Sequence, residues 1–289
     1  MGKHAGGPAA VRSASARMAA RDQVAGRATF AQVFAVGEFR ALWLAMLLSV
    51  GGDQLARIAL TVLVYVRTRS PLLTALAYAM TLLPWLVGGL GLSGLADRLP
   101  RRRVMIACDL ARMALVLLMA AVSLSGSAVA LWTMVALLFV VTLLDSPFKA
   151  ARSALVADIL TGEKYVLGTT ITQITFQVGT VLGFSLGGLV VAALGTRTAL
   201  LIDAATFAVS ALLLALWVRP RPAAAQHGPG RRSSHWADIA AGVRLVFGDD
   251  TLRTLMLFGW LVTFYVVPMG LAVPYAAGFP GLPLAVGTT

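Results

Sequence analysis

Seven long runs of predominantly apolar residues dominate this chain, at about Leu42–Val66, Leu72–Leu95, Val104–Leu124, Val129–Phe148, Leu167–Leu194, Ala199–Val218 and Leu252–Tyr275. A helix rises about 1.5 Å per residue, so each run reaches across the roughly 30 Å hydrocarbon core of a bilayer. Lipid offers no water to satisfy a backbone, and all seven runs are too long to be strands, which leaves α-helices as the spanning structure. Composition agrees, with 58% hydrophobic residues and 12% charged. Soluble domains carry about 25% charged residues. Together with a mean hydropathy of +0.83, this makes lipid the solvent and gives an all-α membrane protein.

The net charge of +12 suggests nucleic acid only until the basic residues are located. They fall in the gaps between apolar runs, as in membrane loops, and no nucleic-acid partner is expected. Of the 24 Lys and Arg, nineteen fall on one side if the spans alternate: the tail up to Arg40, Arg98 with Arg101–Arg103, Lys149/Arg152/Lys164, and the segment from Arg219 to Arg253. Three, Arg67, Arg69 and Arg197, fall on the other, and Arg57 and Arg112 lie inside spans. The positive-inside bias predicts a multi-pass protein of the inner (plasma) membrane with a cytoplasmic N-terminus. The single cysteine, Cys108, lies inside a span and reads as packing.

Four regions follow. Residues 1–38 form a basic cytoplasmic tail that lacks the apolar core of a secretory signal. Residues 39–218 form a six-helix bundle. Residues 219–250 form a cytoplasmic linker, opened by Arg219-Pro220-Arg221-Pro222, in which Trp236, Ile239, Ala240, Val243, Val246 and Phe247 recur near the helical period. That pattern predicts an amphipathic helix on the membrane face, or one packed on a partner domain. Residues 251–289 begin a second bundle.

The short basic hinge Ser93-Gly94-Leu95-Ala96-Asp97-Arg98-Leu99-Pro100-Arg101-Arg102-Arg103 resembles the loop between the second and third helices of the major facilitator superfamily. That pattern is roughly Gly-x-Leu-Ala-Asp-Arg-x-Gly-Arg-Arg, with Ser93 and Pro100 here in place of its two glycines. Asp145-Ser146-Pro147-Phe148, with Ala151-Arg152 and Val156-Ala157-Asp158, is most similar to the branch of enterobactin-exporter-like and macrolide-efflux-like proteins. Gly179-x-x-x-Gly183-Phe184-x-x-Gly187-Gly188 resembles the antiporter signature, with Phe184 where that motif has proline. Its glycines equally suit generic close packing of helices.

The resemblance implies a cytoplasmic gate built from Asp97, Arg98, Arg101 and Arg102, joined by Asp109 and Arg112 from the third span. Asp145, near the cytoplasmic end of the fourth span, reads as part of the same gate. Charges at membrane depth are expensive and mark either pairing or function. Asp53 and Arg57, four residues apart, share one face of the first span. Two readings stay open for them: a structural pair, or a proton- or substrate-coupling site centred on Asp53. Asp203, early in the sixth span, reads as structural, its charge favoured by the helix N-terminus. Tyr65, Tyr78, Gln173, Phe176 and Gln177 are possible lining residues.

Gly89-x-Gly91-x-x-Gly94 has dinucleotide-fingerprint spacing but lies inside a span, without the strand-to-helix turn that binding needs. No phosphate-binding GxxxxGK[ST] loop occurs, and His4, His227 and His235 all lie outside the spans. No cofactor, metal or enzymatic activity is expected. The expected function is secondary active transport: export of an amphipathic small molecule, drug or siderophore-like, in exchange for protons. Such transporters have twelve spans, so the sequence reads as C-terminally truncated, its missing half a partner in any activity. The alternative is a non-transporting membrane scaffold or assembly partner.

Overall fold

The computed structural model describes residues 29–81, 84, 99–125, 127–221, 244–245, 247–263 and 267–276. Among them α1 (Phe30–Phe34) leads into α2 (Gly37–Thr68), α3 (Pro71–Ala79), α4 (Arg101–Val122), α5 (Ala128–Leu143), α6 (Asp145–Ile159), α7 (Glu163–Trp217), α8 (Asp250–Thr263) and α9 (Val267–Ala276). No strand occurs among the described residues. Four stretches of the described residues are long and apolar enough to cross a membrane: Gly37–Thr68, Arg101–Ser125, Ala128–Ile159 and Glu163–Trp217. Only the start of the second predicted span is described. The seventh is represented by α8 and α9, and most of the predicted amphipathic helix lies outside the described residues.

The 55-residue α7 accounts for two predicted spans because it folds back at Gly195, whose φ of 80° and ψ of 164° suit glycine alone. The neighbours of α7 show the reversal. Cβ atoms built on Gly179, Gly183 and Gly187 would meet Val50, Gln54 and Ile58, so the arm 163–194 ascends alongside α2. On the returning arm Asp203 sits against Gly52, and the backbone N–H of Arg219 donates to Glu38 at 3.0 Å. That arm therefore descends, and α2 is gripped between the two.

The fourth span runs beyond its expected end. Pro147 has no N–H to continue the ladder, which separates α5 from α6 at Leu144. Yet the chain remains helical to Ile159, giving one apolar stretch of 32 residues. Lys149 and Arg152, read above as loop charges, therefore stand on a helix. Removing both from the cytoplasmic tally leaves the charge asymmetry intact. The predicted tail also ends earlier than expected. Thr29 and Gln32 form a capping box for α1, Val33 is fully buried, and Phe34 stacks edge-on against Phe39 and Trp43 at 5.6 and 5.2 Å.

Two apolar cores fill the bundle at different depths. The lower one joins Phe39, Leu42, Met105, Phe148, Leu155 and Leu214. The upper one joins Leu60, Val116, Met134, Leu138, Leu200 and Phe207. The lower end of the bundle is tied by charge-assisted hydrogen bonds. Arg102 donates to the carbonyls of Leu214 and Ala215 in the last turn of α7, where backbone donors run out. Arg221 donates to Glu38 at 2.6 Å, closing the bundle's last residues onto its first.

Gly52 permits the closest approach between α2 and the returning arm. A Cβ there would lie 2.2 Å from Asp203 Oδ1 and 2.3 Å from Thr206 Oγ1, whereas one at Gly188 meets nothing within 4 Å. Overpacking of this kind costs about 1–3 kcal/mol. Gly52→Ala should therefore lower the thermal midpoint of the detergent-purified protein by several degrees, with Gly188→Ala close to wild type.

Candidate functional site

A polar layer separates the two apolar cores. It contains Ser49 and Asp53 on α2, Asp109 and Arg112 on α4, Asp145 at the α5–α6 joint, and Asp203 and Ser210 on the returning arm of α7. Its depth follows from α2, where Asp53 lies about midway along 32 residues. Each of these positions stands between side chains of the lower core and side chains of the upper one, or at the edge of the upper one.

Arg112 is the centre of the layer and is 0% exposed. Its Nη2 donates to Asp145 Oδ1 at 2.9 Å and its Nη1 to Ser49 Oγ at 3.3 Å. The guanidinium also lies 5.1 Å from the centre of the Phe148 ring and 5.4 Å from that of Phe207, within cation–π range. Arg112 thereby joins α2, α4, α6 and α7. Asp109 is also fully buried and accepts from Ser210 Oγ at 2.6 Å. Asp203 Oδ2 and Asp109 Oδ1 have no hydrogen-bond partner among the described residues.

Asp145 faces two ways. Behind it stands Arg112, and in front Lys149 Nζ approaches its other oxygen at 2.5 Å. Lys149 also lies 5.0 Å from the centre of the Phe176 ring. These residues line a concavity shared by α2, α6 and the ascending arm of α7, with Asp53, Arg57 and Arg152 on the same walls. It holds about 360 Å³ of empty space, counting its open mouth. The space a water-sized group can occupy inside it is about 20 Å³, close to that of one water, so a larger ligand would lie in the open mouth.

Residues 42–288 match the Major Facilitator Superfamily. The chain belongs to this superfamily. A relative among curated proteins, the uncharacterised major-facilitator-type transporter YkuC of Bacillus subtilis, is 27% identical over 240 residues. The alignment takes in 81% of this chain and 55% of that protein, so the chain spans about half of the relative's length.

The expected gate residues are only partly described, because Asp97 and Arg98 lie outside the described residues, as does the glycine triplet at 89–94. Arg101 forms an ion pair with Asp158 and donates to the carbonyl of Ala154 at 3.3 Å, both on α6. Arg102 caps the returning arm of α7. Asp109 and Arg112 stand apart from these two, one layer deeper, and Arg112 engages Asp145 instead of joining Arg101. Asp145 accordingly belongs to the cavity layer, not to the end of the bundle where it was expected. The cause is the continuation of α6, which carries the end of this helical stretch 14 residues beyond Asp145.

Of the antiporter-like glycines, Gly179, Gly183 and Gly187 lie on the face toward α2, with built Cβ distances of 3.1, 3.0 and 2.7 Å to its side chains. Gly188, one residue and about 100° further round the helix, points elsewhere. Among the suggested lining residues Phe176 reaches the cavity, Gln173 and Gln177 are exposed, and Tyr78 is buried. Sequence reasoning missed Lys149 and Arg152 as cavity residues. Their three-residue spacing was a usable signal, hidden by ending the span at Phe148.

Removing one member of a buried ion pair strands its partner and costs about 3–5 kcal/mol. Arg112→Met should therefore sharply reduce the yield of monodisperse protein in size-exclusion chromatography. Arg112→Met combined with Asp145→Asn should recover part of that loss, since the carboxylate stripped of its buried guanidinium is then gone, leaving the half-exposed Lys149 as the group that loses a partner.

Proposed function

We propose that this chain forms the N-terminal bundle and the opening of the second bundle of a secondary transporter working by alternating access. The observation that carries the reading is the polar layer at mid-depth, where Asp53 and Asp145 face an open cavity between two apolar cores. Ionisable groups at this depth are costly, and transport pathways are where membrane proteins retain them. Transporters of this build place their sites near the bilayer midplane, between bundles made of inverted three-helix repeats.

In this reading a second bundle covers the cavity, and the two rock about it to export an amphipathic small molecule in exchange for protons. Asp53 takes up and releases the coupling proton, because its carboxylate lies on the cavity wall instead of inside an ion pair with Arg112. Asp97, Arg98 and Arg101 latch the cytoplasmic side, with Asp158 holding Arg101 in place. The likeness of Asp145–Phe148 to the enterobactin-exporter-like and macrolide-efflux-like branch supports export.

The test is pH-gradient-driven transport by the full-length protein in proteoliposomes, with a panel of amphipathic drugs and siderophores. Asp53→Asn should lower gradient-dependent flux at least tenfold while leaving membrane insertion intact. Unchanged flux removes Asp53 from the coupling step. For orientation, Ser125→Cys in a Cys108→Ser background should react with a membrane-impermeant maleimide in intact cells. Ser13→Cys in the same background should react only after permeabilisation.

A further inference from the structure

We infer that the cavity is built for an organic anion: a small molecule bearing a carboxylate or a similar negative group on an apolar, ring-sized body. The inference rests on reading this cavity as the substrate path. It goes further by giving the substrate a sign of charge.

Among the described residues, five charged side chains line the cavity, and cations outnumber anions. Arg57, Lys149 and Arg152 stand against Asp53 and Asp145. Asp145 is already engaged on both sides, by Arg112 at 2.9 Å and Lys149 at 2.5 Å. The two other carboxylates of the layer, Asp109 and Asp203, are 0% exposed and walled off from the opening. With Asp145 paired to Lys149 and Arg112, the formal charge left on the described walls is that of Arg57 and Arg152 against Asp53, an excess of one cation.

Arg152 carries the argument furthest. It is half-buried on the cavity wall, and no carboxylate of the described residues lies within ion-pair distance of it. It also stands three residues after Lys149, on the same face of α6, where two like charges repel. Keeping an unpaired guanidinium beside a lysine within a lipid-solvated bundle costs stability, and an anionic ligand would offset that cost. A guanidinium accepts a planar carboxylate in fork geometry, which gives direction as well as charge. Phe176, on the wall opposite in the chain, supplies an aromatic surface for the ligand's body.

The experiment is equilibrium binding to the full-length protein in nanodiscs of neutral phosphatidylcholine, with no proton gradient. The probes are radiolabelled 1-naphthoate, an aromatic carboxylate, and tetraphenylphosphonium, an aromatic cation. The wild type should bind 1-naphthoate at least tenfold more tightly than tetraphenylphosphonium. Arg152→Gln should weaken 1-naphthoate binding at least tenfold, the usual scale for losing a charge-assisted contact, and Arg152→Lys should restore most of it. Equal or tighter binding of the cation, no binding of the anion, or anion affinity unchanged in Arg152→Gln overturns the inference. The wild-type preference needs no variant, so poor folding of Arg152→Gln leaves the decision intact. Because binding is read without a gradient, loss of the proton-coupling reading through Asp53→Asn would leave this result standing. Conversely, a cation preference would sink the anion inference alone.

Discussion

A guanidinium inside a lipid-solvated bundle survives only where its charge and its donors are matched by the protein, because no water arrives to do so. Arg112 meets that condition in its charge and in both terminal nitrogens through Asp145, Ser49 and two aromatic faces, while its Nε has no hydrogen-bond partner among the described residues. The partners come from α2, α6 and the returning arm of α7, so one side chain on α4 sets the relative height of four helices. Once that register is set, the apolar side chains below and above it meet as two separate cores. The cavity exists because the layer between them is polar and incompletely filled.

The glycines set how close the helices come. The ascending arm of α7 approaches α2 across Gly179, Gly183 and Gly187, and the returning arm approaches it across Gly52. Gly195 lets the chain turn between the arms in a conformation closed to other residues. With α2 clamped on both sides, its remaining surface presents Asp53 and Arg57 to the cavity. The ties at the bundle's lower end, Arg102 to α7, Arg101 to Asp158 and Arg221 to Glu38, keep the helix ends aligned under that layer.

Much of this was legible before any coordinates. The apolar runs specified membrane helices because length and hydropathy suffice when lipid is the solvent. The hinge carried the superfamily, and Asp53 and Arg57 were recognisable as same-face charges from their four-residue spacing. Pro147 misled, since a proline early in a helix often marks an end but here only separates two helical segments of one span. Ending the span there turned Lys149 and Arg152 into loop residues and moved Asp145 toward the surface. Arg112 was visible as an intramembrane charge, but its partner was not, because Asp145 lies 33 residues away.

The sequence by itself determined the solvent, the helical class, the charge asymmetry and the family, all of which depend on local composition and short spacings. Tertiary structure alone decided which charges meet. Pairing of Arg112 with Asp145, burial of Asp109 and Asp203, and exposure of Arg152 on the cavity wall depend on helix rotation and relative depth. Those quantities arise from contacts between helices distant in the chain, which no single helix encodes. The basic hinge names the superfamily, and the layer held by Arg112 gives the bundle a site.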